Sequence, residues 1–459
     1  MRHRGRLNEV LRRAEHGPIV EESQFDSGLI APAVKRKTAE FGIHHDGKTI
    51  VPHDDDMADR LYEAALDYVT EVGMYCQDTS RRILWTRAEY EEGLRHCPSE
   101  AVLGAGHDAV SIRARRPEDP AIPAMGGSPV CVPASEDLFV PMMLSYAQEP
   151  VIEFLPPACT LLSAYGTPIK AGSPWEIMAG WRESELCLQV LNIAGRPGMS
   201  LDCVSIASTA LGGLSPASYG GFRPTDRHLC SVVAELKTNY DELSKVAHIT
   251  RIDANMEAFL SVIYGGYYGG YEGLAIGIAA GLIALNQNYM PTTLCGSANH
   301  PLYRCGSAPG LIWAKSLALQ ALSRNTKLLI TSMISTAGGP GTRSILYENA
   351  AMATANVVSG VCVVESCLAA NGVNPGHASG LEAKLACEVG KASAGMTRGE
   401  ANALCEKLVP RYLDGLQQRP IGRPFNEVYD LETLQPIPEW QGMYEEVKGE
   451  LRDMGWPLR

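Results

Sequence analysis

The stretch PTTLCGSANHPLYRCGSAPGLIWAKSLALQALSRNTKLLITSMI (291–334) decides the fold. It contains an apolar run, PTTLCGSA, then a loop rich in Gly, Ser and Asn. A helical pattern, GLIWAKSLALQALSRN, follows, and a second apolar run, KLLITSMI. Strands that are apolar throughout are buried on both faces, as in a parallel sheet covered by helices. The same alternation extends in both directions. Upstream lie helix PWEIMAGWRESELCLQVLNIAG, strand MSLDCVSI, helix TDRHLCSVVAELKTNYDELSKVA, strand AFLSVIYGG and helix YEGLAIGIAAGLIALNQ. Downstream lie helix RSILYENAAMATANVVSG, strand VCVVES and helix GLEAKLACEVGKASAG. Such alternation over roughly 250 residues is the size of one (β/α)8 TIM barrel, with an open doubly wound sheet as the alternative. No GxGxxG follows the first strand, which weakens a dinucleotide reading.

The expected division is an N-terminal extension at 1–150, a barrel core at 151–395 and a C-terminal helical tail at 396–459. In the extension, DDMADRLYEAALDYVTEVG (55–73) reads as an amphipathic helix stopped by Gly73. AVSIRARR (109–116) and SPVCVP (128–133) read as strands of a hairpin or small sheet capping the barrel.

The net charge of −12, with no basic run, argues against nucleic acid and anionic membrane as partners. LAIGIAAGLIAL (274–285) is too short to cross a bilayer, and the basic N-terminus lacks the apolar core of a secretory signal. The 13 Cys, without paired spacing, read as reduced thiols of a cytoplasmic protein.

Barrel enzymes carry their chemistry at the C-terminal ends of strands. Five loops of the required kind lie at 206–226, 264–273, 296–310, 335–343 and 365–380. In YGGYYGGYEG, Tyr264, Tyr267, Tyr268 and Tyr271 either form an aromatic wall for a cation or pack locally around a sharp turn. Cys295, His300 and Cys305 fit no standard zinc spacing and read as core thiols beside a loop histidine, so no metal is expected. Ser205, His300 and Glu365 join the expected binding pocket. Asp202 is a lone acid in an apolar strand.

Around that acid the chain resembles a known family. GMYCQDTSRRI (73–83), HDAVSIRARR (107–116), SEDLFVPMMLSYA (135–147), AGRPGM (194–199), TDRH (225–228), YGGYYGGYE (264–272) and GLEAKLACEVGKASAG (380–395) are similar to monomethylamine methyltransferases of methylotrophic methanogens, in consistent order and spacing. The resemblance implies a TIM barrel that forms homo-oligomers. It also implies transfer of a methyl group from a small methylated substrate to the Co(I) corrinoid (cobalamin) of a separate carrier protein, with no corrinoid held tightly here. In that family the residue three beyond GRPGM is pyrrolysine, whose imine captures the amine. Here it is Asp202, and Leu229, Phe259 and Met333 stand where the family uses two Glu and a Gln.

A carboxylate has no electrophilic imine, so the parent mechanism cannot operate. The expected donor is already activated: a quaternary ammonium, a sulfonium, or a protonatable N- or O-methyl compound. Asp202 would pair with a cation or protonate the leaving atom as the catalytic residue. The alternative is a repurposed barrel enzyme or a ligand-binding protein that does not use cobalt.

Overall fold

The computed structural model describes residues 4–156, 161–232 and 235–458, and these form a closed TIM barrel with additions at both ends. Seven parallel strands are hydrogen-bonded in a row. In chain order they are β1 (Ala124–Gly127), β3 (Asp202–Val204), β4 (Arg227–Ser231), β5 (Asn255–Ile263), β6 (Thr293–Asn299), β7 (Ile330–Ser335) and β8 (Val363–Leu368). β8 pairs with β1, which leaves a gap between β1 and β3. A short segment at 154–155, here β2, fills it through isolated bridges Gly126–Phe154 and Leu155–Leu201. Glu153 N donates to Met125 O at 2.8 Å, and Asp202 N donates to Leu155 O at 2.7 Å. The circle of eight is thereby complete.

Each strand is followed by a helix: α1 (Glu136–Ala147), α2 (Pro174–Ile193), α3 (Ala210–Leu214), α4 (Tyr240–Arg251), α5 (Tyr271–Tyr289), α6 (Pro309–Asn325), α7 (Arg343–Val358) and α8 (Gly380–Ala392). α5 is apolar all round because it is covered on both sides. Every residue from Gly273 to Tyr289 is buried, between the barrel and the N-terminal helix Asp55–Val72. That outer helix is capped by Asp54, whose side chain accepts from Met57 N at 3.0 Å, and ends at Gly73 with φ 71°. The C-terminal helix Pro438–Met454 packs on α7 and α8. No described helix is long and apolar enough to cross a membrane.

Three sequence expectations are corrected. The stretch 225–247 was expected to be one helix, but it contains strand β4 before α4 begins at Tyr240. Arg227 and His228, which fall inside that expected helix, are both fully buried in β4, so tertiary structure overrides the local pattern. The strand expected at 128–133 lies upstream, at Ala124–Gly127, and belongs to the barrel. The hairpin partner of Val110–Arg113 is Glu100–Leu103. Gly126 hides β1 from a propensity reading. A Cβ there would lie 2.1 Å from the Phe154 ring, so closing the barrel requires a glycine in the strand. The barrel therefore starts at 124, inside the stretch assigned to the N-terminal extension.

Candidate active site

The barrel interior is built in layers, because alternate residues of each strand point inward. The lowest layer is charged and buried. Arg227 of β4 is completely buried and meets three acids. Its Nη2 donates to Asp202 Oδ2 at 2.9 Å and to Glu365 Oε1 at 2.5 Å, and its Nη1 donates to Glu257 Oε2 at 2.5 Å. The Phe154 ring lies against the guanidinium, 5.6 Å from its centroid. Thr331 and Thr293 hydroxyls donate to Glu257 Oε2 at 2.8 and 3.2 Å. Ser200 Oγ donates to Asp202 Oδ1 at 2.6 Å.

Above this floor sits an apolar cup. Val130, Cys203, Cys295, Met333 and Leu368 form one buried cluster, with Leu229 and Phe259 packed against it. Leu229, Phe259 and Met333 are thus brought together, as the sequence suggested. The strand register explains it: Phe259 pairs with Cys295, and Met333 with Glu365. A polar ring lies one step nearer the mouth. Asn299 Nδ2 donates to Ser261 Oγ at 2.9 Å, and Ser335 Oγ donates to Asn299 Oδ1 at 3.2 Å. Ser297 occupies the same inward face as Cys295, two residues on.

Asp202 and Glu365 were expected at the barrel mouth, but both are on the floor. β3 contains a bulge between Asp202 and Val204, with Cys203 at φ 54°. The extra residue turns Asp202 down to Arg227 and gives the cup position to Cys203. Burial raises the Asp202 carboxyl to about 6, against the pull of Arg227 and Ser200. Burial, with the negative charge of Glu257, also raises the Glu365 carboxyl. The Cys203 thiol is raised well above its ordinary range by burial and by the adjacent glutamates, so it is a neutral S–H beside them. That thiol lies 3.2 Å from Glu257 Oε1 and 3.7 Å from Glu365 Oε2.

The remaining expected residues separate. Ser205, also in the left-handed region at φ 67°, donates its hydroxyl to His228 Nδ1 at 2.8 Å. His228 Nε2 in turn donates to Arg223 O at 3.0 Å, so this pair lies outside the cup. The tyrosine loop divides three ways. Tyr264 stacks between Tyr271 and His300, with centroids at 4.6 and 5.2 Å. Tyr267 is exposed beside a surface groove lined by Val34, Thr38 and Ile43. Tyr268 is buried and meets Tyr68 edge-on at 6.3 Å. His300 continues the stack onto Tyr303 at 3.9 Å, and its Nδ1 accepts from the Leu302 and Tyr303 amides. Through Nδ1 it holds a turn.

Arg227, Cys203 and Glu257 were missed. Spacing could have found two of them: Arg227 lies two residues before Leu229, and Glu257 two before Phe259. Each therefore shares the inward face of its strand with a residue already singled out.

The comparisons with known proteins agree with this architecture. The sequence profile for "Monomethylamine methyltransferase MtmB" matches residues 6–456. Monomethylamine methyltransferase MtmB2 of Methanosarcina acetivorans is 30% identical over 450 residues, covering 96% of each chain. MtmB1 of Methanosarcina barkeri is 30% identical over 451 residues, again with 96% of each covered. The crystal structure of the Methanosarcina barkeri enzyme superposes with a TM-score of 0.95 at 29% identity over 98% of each chain. A closed barrel of this extent, matched along almost its whole length in both sequence and shape, belongs to the monomethylamine methyltransferase family.

Proposed function

We propose that this methyltransferase moves a methyl group from an activated small methylated compound to the Co(I) corrinoid of a separate carrier protein, without covalent capture of the donor at position 202. The observation that carries this reading is the state of Asp202. It is fully buried, with one oxygen on Ser200 and the other on Arg227. A carboxylate held this way offers no electrophile to an amine. The methyl group must then depart from a heteroatom that is a good leaving group, or that is made one by a proton or a cation at the site.

Co(I) supplies a nucleophilic electron pair, and the chain has to present the methyl carbon to it. The cup of Leu229, Phe259, Met333 and the two thiols excludes water and suits a methyl-bearing group. The carboxylate-rich floor favours positive charge beside the leaving atom, carried by the donor, by a proton or by a bound cation. Phe259 adds an aromatic edge or face to a cationic donor. Asp202 and Ser200 act through Arg227, as positioning residues.

The rim supports a protein partner. Ile206 after β3, Leu211 in α3, Ile263 at the end of β5, Leu302 after β6 and Val373 after β8 are all exposed. Apolar side chains around the mouth of a barrel suit a docked carrier.

The test is a panel of betaines, sulfoniums and O-, S- and N-methyl compounds incubated with the protein and reduced corrinoid carrier, following the corrinoid absorbance. Methyl transfer from at least one activated donor, and none from methylamine, is the expected outcome. Transfer from methylamine, or turnover of a donor without corrinoid, overturns the proposal.

A further inference from the structure

The three acids around Arg227 carry one more piece of information. Asp202, Glu257 and Glu365 contribute three negative charges, and Arg227 one positive, so the ionised floor has a net charge of −2. None of the four is more than 2% exposed. A buried imbalance of that size must be compensated by bound protons or by a cation.

The arrangement of the oxygens shows where a cation would go. Arg227 takes one oxygen from each glutamate, Glu257 Oε2 and Glu365 Oε1. The two remaining oxygens both turn to Cys203 Sγ, and the three atoms lie within 4.8 Å of one another. With Zn–S near 2.3 Å and Zn–O near 2.0 Å at the tetrahedral angle, the sulfur and oxygen ligands of one zinc ion lie about 3.5 Å apart. The S···O separations here are 3.2 and 3.7 Å. Arg227, Thr293 and Thr331 hold the rear oxygens, the part that an outer shell plays in fixing carboxylate ligands.

A separate observation points to a ligand in the cup. Ser297 Oγ lies on the inward face of β6, 1% exposed, with no hydrogen-bond partner among the described residues. A buried hydroxyl left unpaired is costly, and a polar atom held beneath it would give it a partner.

We propose that Cys203 Sγ, Glu257 Oε1 and Glu365 Oε2 form a binding site for one divalent metal ion of the zinc type, with its remaining coordination position open to the cup. With Cys203 as thiolate the four anionic groups and Arg227 sum to −3, and one divalent ion reduces this to −1. Binding releases the thiol proton, because the thiolate is the ligand. Three protein ligands with a vacant fourth position is the pattern of a catalytic rather than a structural zinc site.

The role of the ion rests on the methyltransferase reading above. It accepts a lone pair from the heteroatom that bears the methyl group, which selects methyl–oxygen and methyl–sulfur donors and rejects quaternary ammonium, which has no lone pair to give. As the methyl–heteroatom bond breaks, its electron pair stays on the heteroatom, held by the metal as an anion until water protonates it. The pair for the new bond to carbon comes from Co(I), which is oxidised to Co(III).

The experiment starts with full-length protein stripped by a chelator and titrated with zinc chloride alone. One ion per chain is expected, and Cys203→Ser should weaken binding by more than about 100-fold, beyond the 10–100-fold typical of outer-shell losses. Glu257→Gln should act in the same direction, while Cys97→Ser should bind as the parent does. Replacing zinc with Co(II) should give a sulfur-to-metal charge-transfer band that Cys203→Ser abolishes. Less than stoichiometric binding, or a Cys203→Ser protein that binds as tightly as the parent, overturns the site. If that variant does not fold, the Co(II) spectrum of the parent decides: the band supports the site and its absence refutes it. The two proposals fail separately. Zinc bound without methyl transfer from any donor removes the methyltransferase reading, and methyl transfer by metal-free protein removes the metal.

Discussion

Glu348 and the glutamates of the floor are all buried in this barrel, and they are built differently. Glu348 on α7 is fully buried and accepts four hydrogen bonds from neutral donors. They come from Ser307 Oγ at 2.6 Å, Ala337 N at 2.7 Å, Ser344 Oγ at 2.8 Å and Gly338 N at 2.9 Å. Its lone pairs are used up in closing the loop after β7. Glu257 and Glu365 are equally buried, but each gives one oxygen to Arg227 and turns the other toward a thiol. The difference separates an acid that holds the chain in shape from acids that keep an oxygen for something else. Burial alone does not distinguish them; the accounting of lone pairs does.

The comparison breaks first at Arg227. Arg227→Met leaves three buried carboxylates without a counter-charge and should cost about 3–5 kcal/mol in denaturant unfolding. A loss below 1 kcal/mol would mean that the floor is already neutral without the guanidinium.

Lys315 offers a buried charge with even less support. Among the described residues its Nζ donates only to Met333 O at 3.1 Å, and burial lowers it from 10.5 to about 8. Above pH 10.5 the amine is neutral in both folded and unfolded chains. As the pH falls toward 8, the unfolded chain takes up a proton that the folded chain refuses. Stability therefore falls across that window, by about 3 kcal/mol in all. Melting temperatures collected against pH should show this slope, and Lys315→Met should flatten it.

Glu348→Gln comes next, at about 1–3 kcal/mol, since an amide N–H₂ would face donors where an oxygen is needed. The folded fraction should still bind zinc and transfer methyl groups like the parent. A specific loss of either would place Glu348 with the floor acids and erase the contrast. Tyr267→Ala, on the exposed arm of the tyrosine loop, should stay within about 0.5 kcal/mol of the parent and serves as the baseline.

Much of this was legible in the sequence. The helices from α5 to α8 are long and strongly patterned, and the sequence locates them nearly to their ends. Strands β5 to β8 are apolar runs between glycine-rich loops, and they too were recognisable. β1, β2 and β4 were not. β1 is Ala-Met-Gly-Gly, whose composition is set by the close approach of Phe154, and β2 is a two-residue bridge. β4 begins with Arg227 and His228, charged or polar residues that only the completed barrel shows to be interior. At the site, Leu229, Phe259 and Met333 were identified as neighbours through family resemblance, and the strand register brings them together. The roles of Asp202 and Cys203 were not readable, because the bulge that exchanges them leaves no trace in the residue pattern.

That bulge has a consequence for how the protein could change its chemistry. β3 is three residues long, so a slip of one position there disturbs few ladder hydrogen bonds and leaves the rest of the circle in place. It nevertheless decides whether an oxygen or a sulfur looks into the reaction space. The barrel thus has a selector at one short strand, and inserting or deleting a single residue before Asp202 should reassign the donor atom while the other seven strands keep theirs.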